Sequence, residues 1–226
     1  TGQFDLALLD LEAARELSQA AQQQRLEWRM LMELGKLWSS RDYNLARGYL
    51  EQALNLAQQI DDPAILGRTL NRIGNWHANN ESPAKAISFH QEALLIFEDT
   101  NDRPNLAVAL DLLGIAHLLG GDYATGVVYY NRAIELFREL GDYPRLVSSL
   151  IPRGLGATGS LLLALTPVQS PRDPFADLAE AVEIARHIGS SPDEAWAAWG
   201  LTMLYALRGE FEQALAAGRH GLQIAS

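Results

Sequence analysis

Cysteine is absent from the 226 residues, which excludes disulfides and thiolate chemistry and suits a reducing cytoplasm. Lysine is nearly absent: Lys36 and Lys85 are the two present, and Asp and Glu outnumber Lys and Arg by 28 to 18, a formal charge of -10. A surface of that sign repels nucleic-acid phosphates and acidic lipid headgroups, so neither is an expected direct partner. Long apolar runs are missing too. The most apolar stretch, Ser160 to Leu165, is far shorter than the ~20 residues a spanning helix needs. The chain opens at Thr1 without an initiator methionine or a signal peptide and is in a helical pattern by Phe4; a piece of a longer protein is therefore the expectation. With 48% hydrophobic and 20% charged residues, the composition is that of a folded chain with a core to bury.

Catalytic and metal signatures are also lacking. There is no P-loop, no H-E-x-x-H and no nucleophile paired with a base, so an enzyme is not the expectation. Gly154, Gly156 and Gly159 do stand in G-x-G-x-x-G spacing, which suits a pyrophosphate only when it follows a strand and opens a helix. Here Gly154 falls in phase with glycines of predicted helices, and an enzyme built on 154–159 is kept as the distant alternative. Among the five histidines, His77 and His117 lie 40 residues apart and occupy equivalent positions. Because a metal site needs three or four converging ligands, packing histidines are the expectation, with no metal and no cofactor.

What the sequence does contain is self-similarity. The segments GQFDLALLDLEAARELSQA, RDYNLARGYLEQALNLAQQ, ESPAKAISFHQEALLIFED, GDYATGVVYYNRAIELFRE and GEFEQALAAGRHGLQIA align without gaps. Each has a small residue at its centre. With PRDPFADLAEAVEIARH added, these residues are Ala14, Ala53, Ala93, Ala133, Ala181 and Gly221, spaced by 39, 40, 40, 48 and 40. A second series, Gly35, Gly74, Gly114 and Gly154, repeats at 39, 40 and 40. Small residues at fixed phase are what two helices need in order to cross closely, so two series mean two helices per repeat. Pro63, Pro104, Pro144 and Pro192 follow short polar loops and open the first helix of each pair, with Asp62 and Ser191 as expected N-caps.

The stretch LLGIAHLLGGDYATGVVYYNRAIELFRELGDYP, with Leu113-Gly114, the Gly121-Asp122-Tyr123 turn, Tyr130 and Ala133, resembles a unit of the tetratricopeptide-repeat family. The family's usual period is ~34 residues; the longer period here resembles long-loop variants found in signalling scaffolds and in the sensor arms of bacterial ATPase-type transcription regulators. The resemblance implies an all-α fold: a right-handed superhelical stack of antiparallel helical hairpins, an α-solenoid of about five repeats with a leading half-repeat. Residues 1–226 would form one array, with the half-repeat at 1–20 and repeats at 25–60, 63–99, 104–140, 144–188 and 192–226. Residues 166–174 (TPVQSPRDP) form an inserted loop, and Pro152 with the glycines after it marks 150–165 as an expected joint.

Arg68, Asn71, Asn75 and Asn79 recur at steps of three and four and so share one helix face. A resemblance to peptide-binding members of the family puts Asn71 and Asn75 against the backbone of an extended ligand, a task suited to amides that both donate and accept. The competing reading is an ordinary solvated face. The same lining would continue through Asp111 and Ile115 to Trp196, Trp199 and Met203, where the tryptophans are either a binding hot spot or packed core. The sequence lacks the paired lysines by which some members of that family hold a chaperone's C-terminal carboxylate, Lys36 and Lys85 being its two lysines, so that partner class is not the expectation. The expected function is a protein- or peptide-binding module, the sensor or scaffold part of a regulatory protein. A small-molecule effector in the groove is the alternative, and self-association through exposed terminal helices a further possibility.

Overall fold

The computed structural model describes residues 2–80, 82–156 and 173–224. These form eleven helices and, among the described residues, no strand. They divide into two compact units, Thr1–Leu112 and Leu113–Ser226.

The first unit holds α1 (Gly2–Ala20), α2 (Gln24–Trp38), α3 (Tyr43–Ala57), α4 (Pro63–Asn79), α5 (Pro83–Asp99) and the start of α6 (Arg103–Leu119). Consecutive helices from α1 to α5 pack on each other. Helix starts follow local chemistry. The Asp42 carboxylate accepts from the Asn44 and Leu45 amides, and that of Asp62 from Ala64 and Ile65, which satisfies donors that a first turn leaves open. Pro63 and Pro83 then stand in the first turn, where a missing N–H costs nothing. Trp28, Leu31, Ala53, Ala57 and Ile65 form one core cluster and Ala46, Leu50, Ile73 and Trp76 another. The Trp28 indole N–H donates to the Thr69 hydroxyl at 2.8 Å.

The second unit holds the end of α6, then α7 (Tyr123–Leu140), α8 (Tyr143–Gly156), α9 (Pro174–Ile188), α10 (Ser191–Arg208) and α11 (Phe211–Ile224). Gly141 and Gly189 end α7 and α9 at φ of 68° and 71°, left-handed conformations that favour glycine. Leu113, Tyr130, Ile134, Phe137, Leu146, Leu150 and Leu178 are fully buried here, each contributing roughly 1.5–3 kcal/mol of apolar transfer.

The two small-residue series are the hairpin crossings. Ala53, Ala93, Ala133 and Ala181 are completely buried. A Cβ at Gly114 would lie 2.9 Å from the Tyr130 ring, and one at Gly154 2.9 Å from Leu178 Cγ; each glycine makes room for the large residue three before the central alanine. One expected cap shifts by a residue: Ser190, not Ser191, precedes α10, because the helix admits Ser191 ahead of Pro192, and its hydroxyl donates to Asp193 Oδ2 rather than accepting from a backbone amide. The expected loop at 166–174 lies outside the described residues except for Asp173, which caps α9, and Pro174, which opens it.

Candidate functional site

Of the row predicted on α4, the structure separates what the spacing put together. Arg68 is exposed; its Nε donates to the Ala64 carbonyl and its guanidinium stands 5.2 Å over the Trp28 ring. Asn75 is half-buried and Asn79 exposed. Asn71 does not line a groove: it is 6% exposed and its Oδ1 accepts from His90 Nδ1 of α5 at 3.0 Å. The reason is steric. Gly74 lets the His90 ring fill the crossing, and a buried imidazole N–H draws in the nearest acceptor. Burial holds the His90 imidazole down, to about 4, so the ring is neutral, and its Nε2 is buried without a partner.

Of the residues predicted on α6, Asp111 is half-buried and Ile115 exposed. His77 and His117 are each ring-stacked in their own hairpin, on Phe89 at 5.3 Å and on Tyr129 at 5.3 Å. Burial, then the charges of Lys85 and Arg47, lowers the His77 pKa. No cluster of three possible metal-ligating side chains occurs among the described residues. Gly154 and Gly156 lie in α8 and not in a strand-to-helix turn; Gly159 is outside the described residues.

The α10 residues behave differently. Trp196, Trp199 and Met203 are 46%, 52% and 39% exposed, and Leu207, one turn on, is exposed as well. The opposite face of the same helix, Ala197, Ala198 and Leu204, is buried. Helical spacing thus gives α10 a packed side and a second, solvent-facing apolar stripe. Trp199 also borders a cleft of ≈ 710 Å³ between α10 and α11, with Phe211, Leu215 and Leu222 as its other large walls. The scaffold beneath is pinned by Glu194, whose Oε1 accepts from Arg186 Nη2 of α9 and His220 Nε2 of α11, both at 2.8 Å. Burial pushes the Glu194 carboxyl up, but the hydrogen bonds and charges of Arg186 and His220 outweigh it and hold the pKa below its ordinary value.

The Gly114, Tyr130 and Ala133 crossing, with Asp122 capping the second helix, lies within a span that matches a known repeat model. Residues 65–139 match the tetratricopeptide-repeat family model. No curated protein matches the chain. Among solved structures, BtubC (BKLC) from P. vanneervenii superposes with a TM-score of 0.81 at 19% identity, covering 99% of this chain and 89% of its own. A putative kinesin light chain of Podosopora anserina, made of nearly identical TPR-like repeats, gives 0.69 at 16%, covering 89% and 95%. Rap protein complexed with Competence and Sporulation Factor gives 0.71 at 16%, covering 99% of this chain and 59% of that one. At these identities the likeness establishes the fold, an all-helical tetratricopeptide-repeat-like array of hairpins.

Two polar groups inside these hairpins are not anticipated by the periodicity of any single helix. One is His90 with Asn71. The other joins α8, α9 and α7: Arg153 Nε and Nη2 donate to the two oxygens of Asp177 at 2.7 and 2.6 Å, and Nη1 donates to Asn131 Oδ1 at 2.6 Å. The repeat alignment carries the signal for both. His90 stands in the column of Leu50, Tyr130 and Leu178, Arg153 in that of Leu34, Ile73 and Leu113, and Asp177 in that of Tyr49, Phe89 and Tyr129; a polar residue in an apolar column needs a partner.

Proposed function

We propose that this chain is a protein- or peptide-binding module, the scaffold or sensor part of a larger regulatory protein working in the reducing cytoplasm, and not an enzyme. The observation that carries the proposal is the solvent-facing stripe of Trp196, Trp199, Met203 and Leu207 on a helix already packed on its other side. Two adjacent exposed tryptophans are a large apolar cost in water, and tryptophan is the side chain most enriched at binding hot spots. The fold agrees with this role: one of the similar structures, Rap, is complexed with Competence and Sporulation Factor. The net charge of -10 favours neutral or cationic partners.

The test is selection of displayed peptides on the native chain, counter-screened against Trp196→Ala/Trp199→Ala. Selected peptides carrying an apolar anchor should bind the native chain at least about tenfold more tightly than the double variant, equivalent to ~1.4 kcal/mol. Equal binding by a variant of unchanged helicity would remove the stripe from the proposal. A small-molecule effector is the second reading, favoured by the ≈ 710 Å³ cleft beside Trp199, a size typical of small-molecule sites. A metabolite that raises the melting temperature in competition with the selected peptide would support it.

A further inference from the structure

A second cleft, of ≈ 590 Å³, lies in the first unit between α3, α4 and α5, apart from the surface discussed above. Its walls are apolar where they meet the core: Leu50 and Leu54 of α3, and Ile73 and Trp76 of α4. The Trp76 indole N–H is already taken by the Tyr43 carbonyl at 3.0 Å, so that ring presents only apolar surface. Around this floor three basic side chains converge from three different helices, Arg47 from α3, His77 from α4 and Lys85 from α5. One of the two lysines in a chain of charge -10 is therefore placed at this cleft.

The charge balance narrows the ligand. Arg47 is shared with Glu51 at 2.7 Å, and His77 stacks on Phe89 and is lowered in pKa by burial and then by Lys85 and Arg47, hence neutral at pH 7. Among the described lining residues, Arg47 and Lys85 against Glu51 leave one net positive charge over an apolar floor. That matches a monoanion better than a doubly charged phosphate. We propose that this cleft binds a carboxylate carried on an apolar body, the carboxylate held by Lys85 and Arg47 and the body resting on Trp76, Ile73 and Leu54. A free arylalkyl acid and the C-terminal residue of a peptide ending in an apolar side chain share this chemistry.

The experiment titrates the full chain by NMR and calorimetry with phenylpropionate and with N-acetyl-Leu-Phe, each as free acid and as amide. The acid of at least one pair should bind with a Kd below about 5 mM, and its amide at least about tenfold more weakly. Lys85→Ala should weaken acid binding by about fivefold or more with helicity and melting temperature unchanged, because Lys85 is exposed. Since a bound anion favours the imidazolium, affinity should rise from pH 7 to 5.5, and His77→Gln should abolish that rise. Binding by the peptide acid alone assigns the cleft to chain termini; binding by phenylpropionate assigns it to free acids. Acid and amide binding alike, unchanged binding by Lys85→Ala, or no binding by either acid at about 5 mM would each overturn the proposal.

Discussion

Arg153 holds both carboxylate oxygens of Asp177 in a two-pronged ion pair at 2.7 and 2.6 Å, with side chains 3% and 1% exposed. The third arm of the guanidinium reaches Asn131, so neither charge is left to bear its desolvation alone.

Removing one partner of that pair should therefore cost more than removing both. Asp177→Ala or Arg153→Leu alone strands a buried charge and should lower stability by ~3–5 kcal/mol. Arg153→Leu/Asp177→Tyr restores the residues found one repeat earlier, Leu113 and Tyr129, and should recover most of the loss. Urea denaturation of the two singles and the double closes the cycle; strict additivity would mean that the charges are solvated in solution.

His90 gives the fold a pH dependence of definite sign. Its folded pKa is held down to about 4 against ~6.5 for an unfolded histidine. Between those values the unfolded chain binds a proton that the folded chain refuses. Stability is thus highest above pH ~6.5, falls as pH drops toward 4, and changes no further from this group below that, a loss on the order of 3 kcal/mol. Lowered carboxylates such as Asp62 and Asp122 also lose stability in acid, but in the lower window around carboxylate pKa values. Asn71→Met/His90→Leu, which copies Met32 and Leu50 of the repeat before, should flatten the slope between pH 7 and 5. An unchanged slope would show that His90 titrates freely.

Two glycines in helix interiors should respond oppositely to alanine. Gly48 of α3 has open space where a Cβ would go, whereas a Cβ at Gly154 of α8 would meet Leu178 Cγ at 2.9 Å. Gly48→Ala should stabilise by ~0.5–1 kcal/mol through helix propensity and a less disordered unfolded chain. Gly154→Ala should destabilise by ~1–3 kcal/mol through overpacking. Thermal denaturation of the pair measures both, and a stabilised Gly154→Ala would mean that α8 and α9 do not cross so closely.

The α10 stripe can be tested without a ligand. Trp196→Ala should shift stability by under about 1 kcal/mol, because the ring is half exposed, whereas Leu150→Ala in the core should cost ~2–5 kcal/mol. Acrylamide should quench Trp196 and Trp199 strongly and Trp28 and Trp76 weakly; comparable quenching of all would mean that the stripe is covered.

The all-helical hairpin fold was legible because its determinants are local and repeated: alanine and glycine at fixed phase mark the crossings, and proline and aspartate mark the starts. The α4 row was read less well, since a helix-face argument assigns direction without depth. Asn71, Asn75 and Asn79 do share a face, but that face turns from core to solvent along its width, and the buried edge goes to His90. The cleft holding Arg47, His77 and Lys85 was not visible at all. Its members come from three helices, and no single-helix period connects them.

The Arg153 to Asp177 bond also limits how the chain could be rearranged. Crossings built from glycine against leucine or tyrosine are interchangeable parts, so a hairpin bearing one could be transplanted beside another with its fit preserved. α8 and α9 are not free in this way: moved separately, each would carry an unmatched charge into its new neighbour, so duplication, deletion or grafting of repeats must carry the two helices as one indivisible cassette.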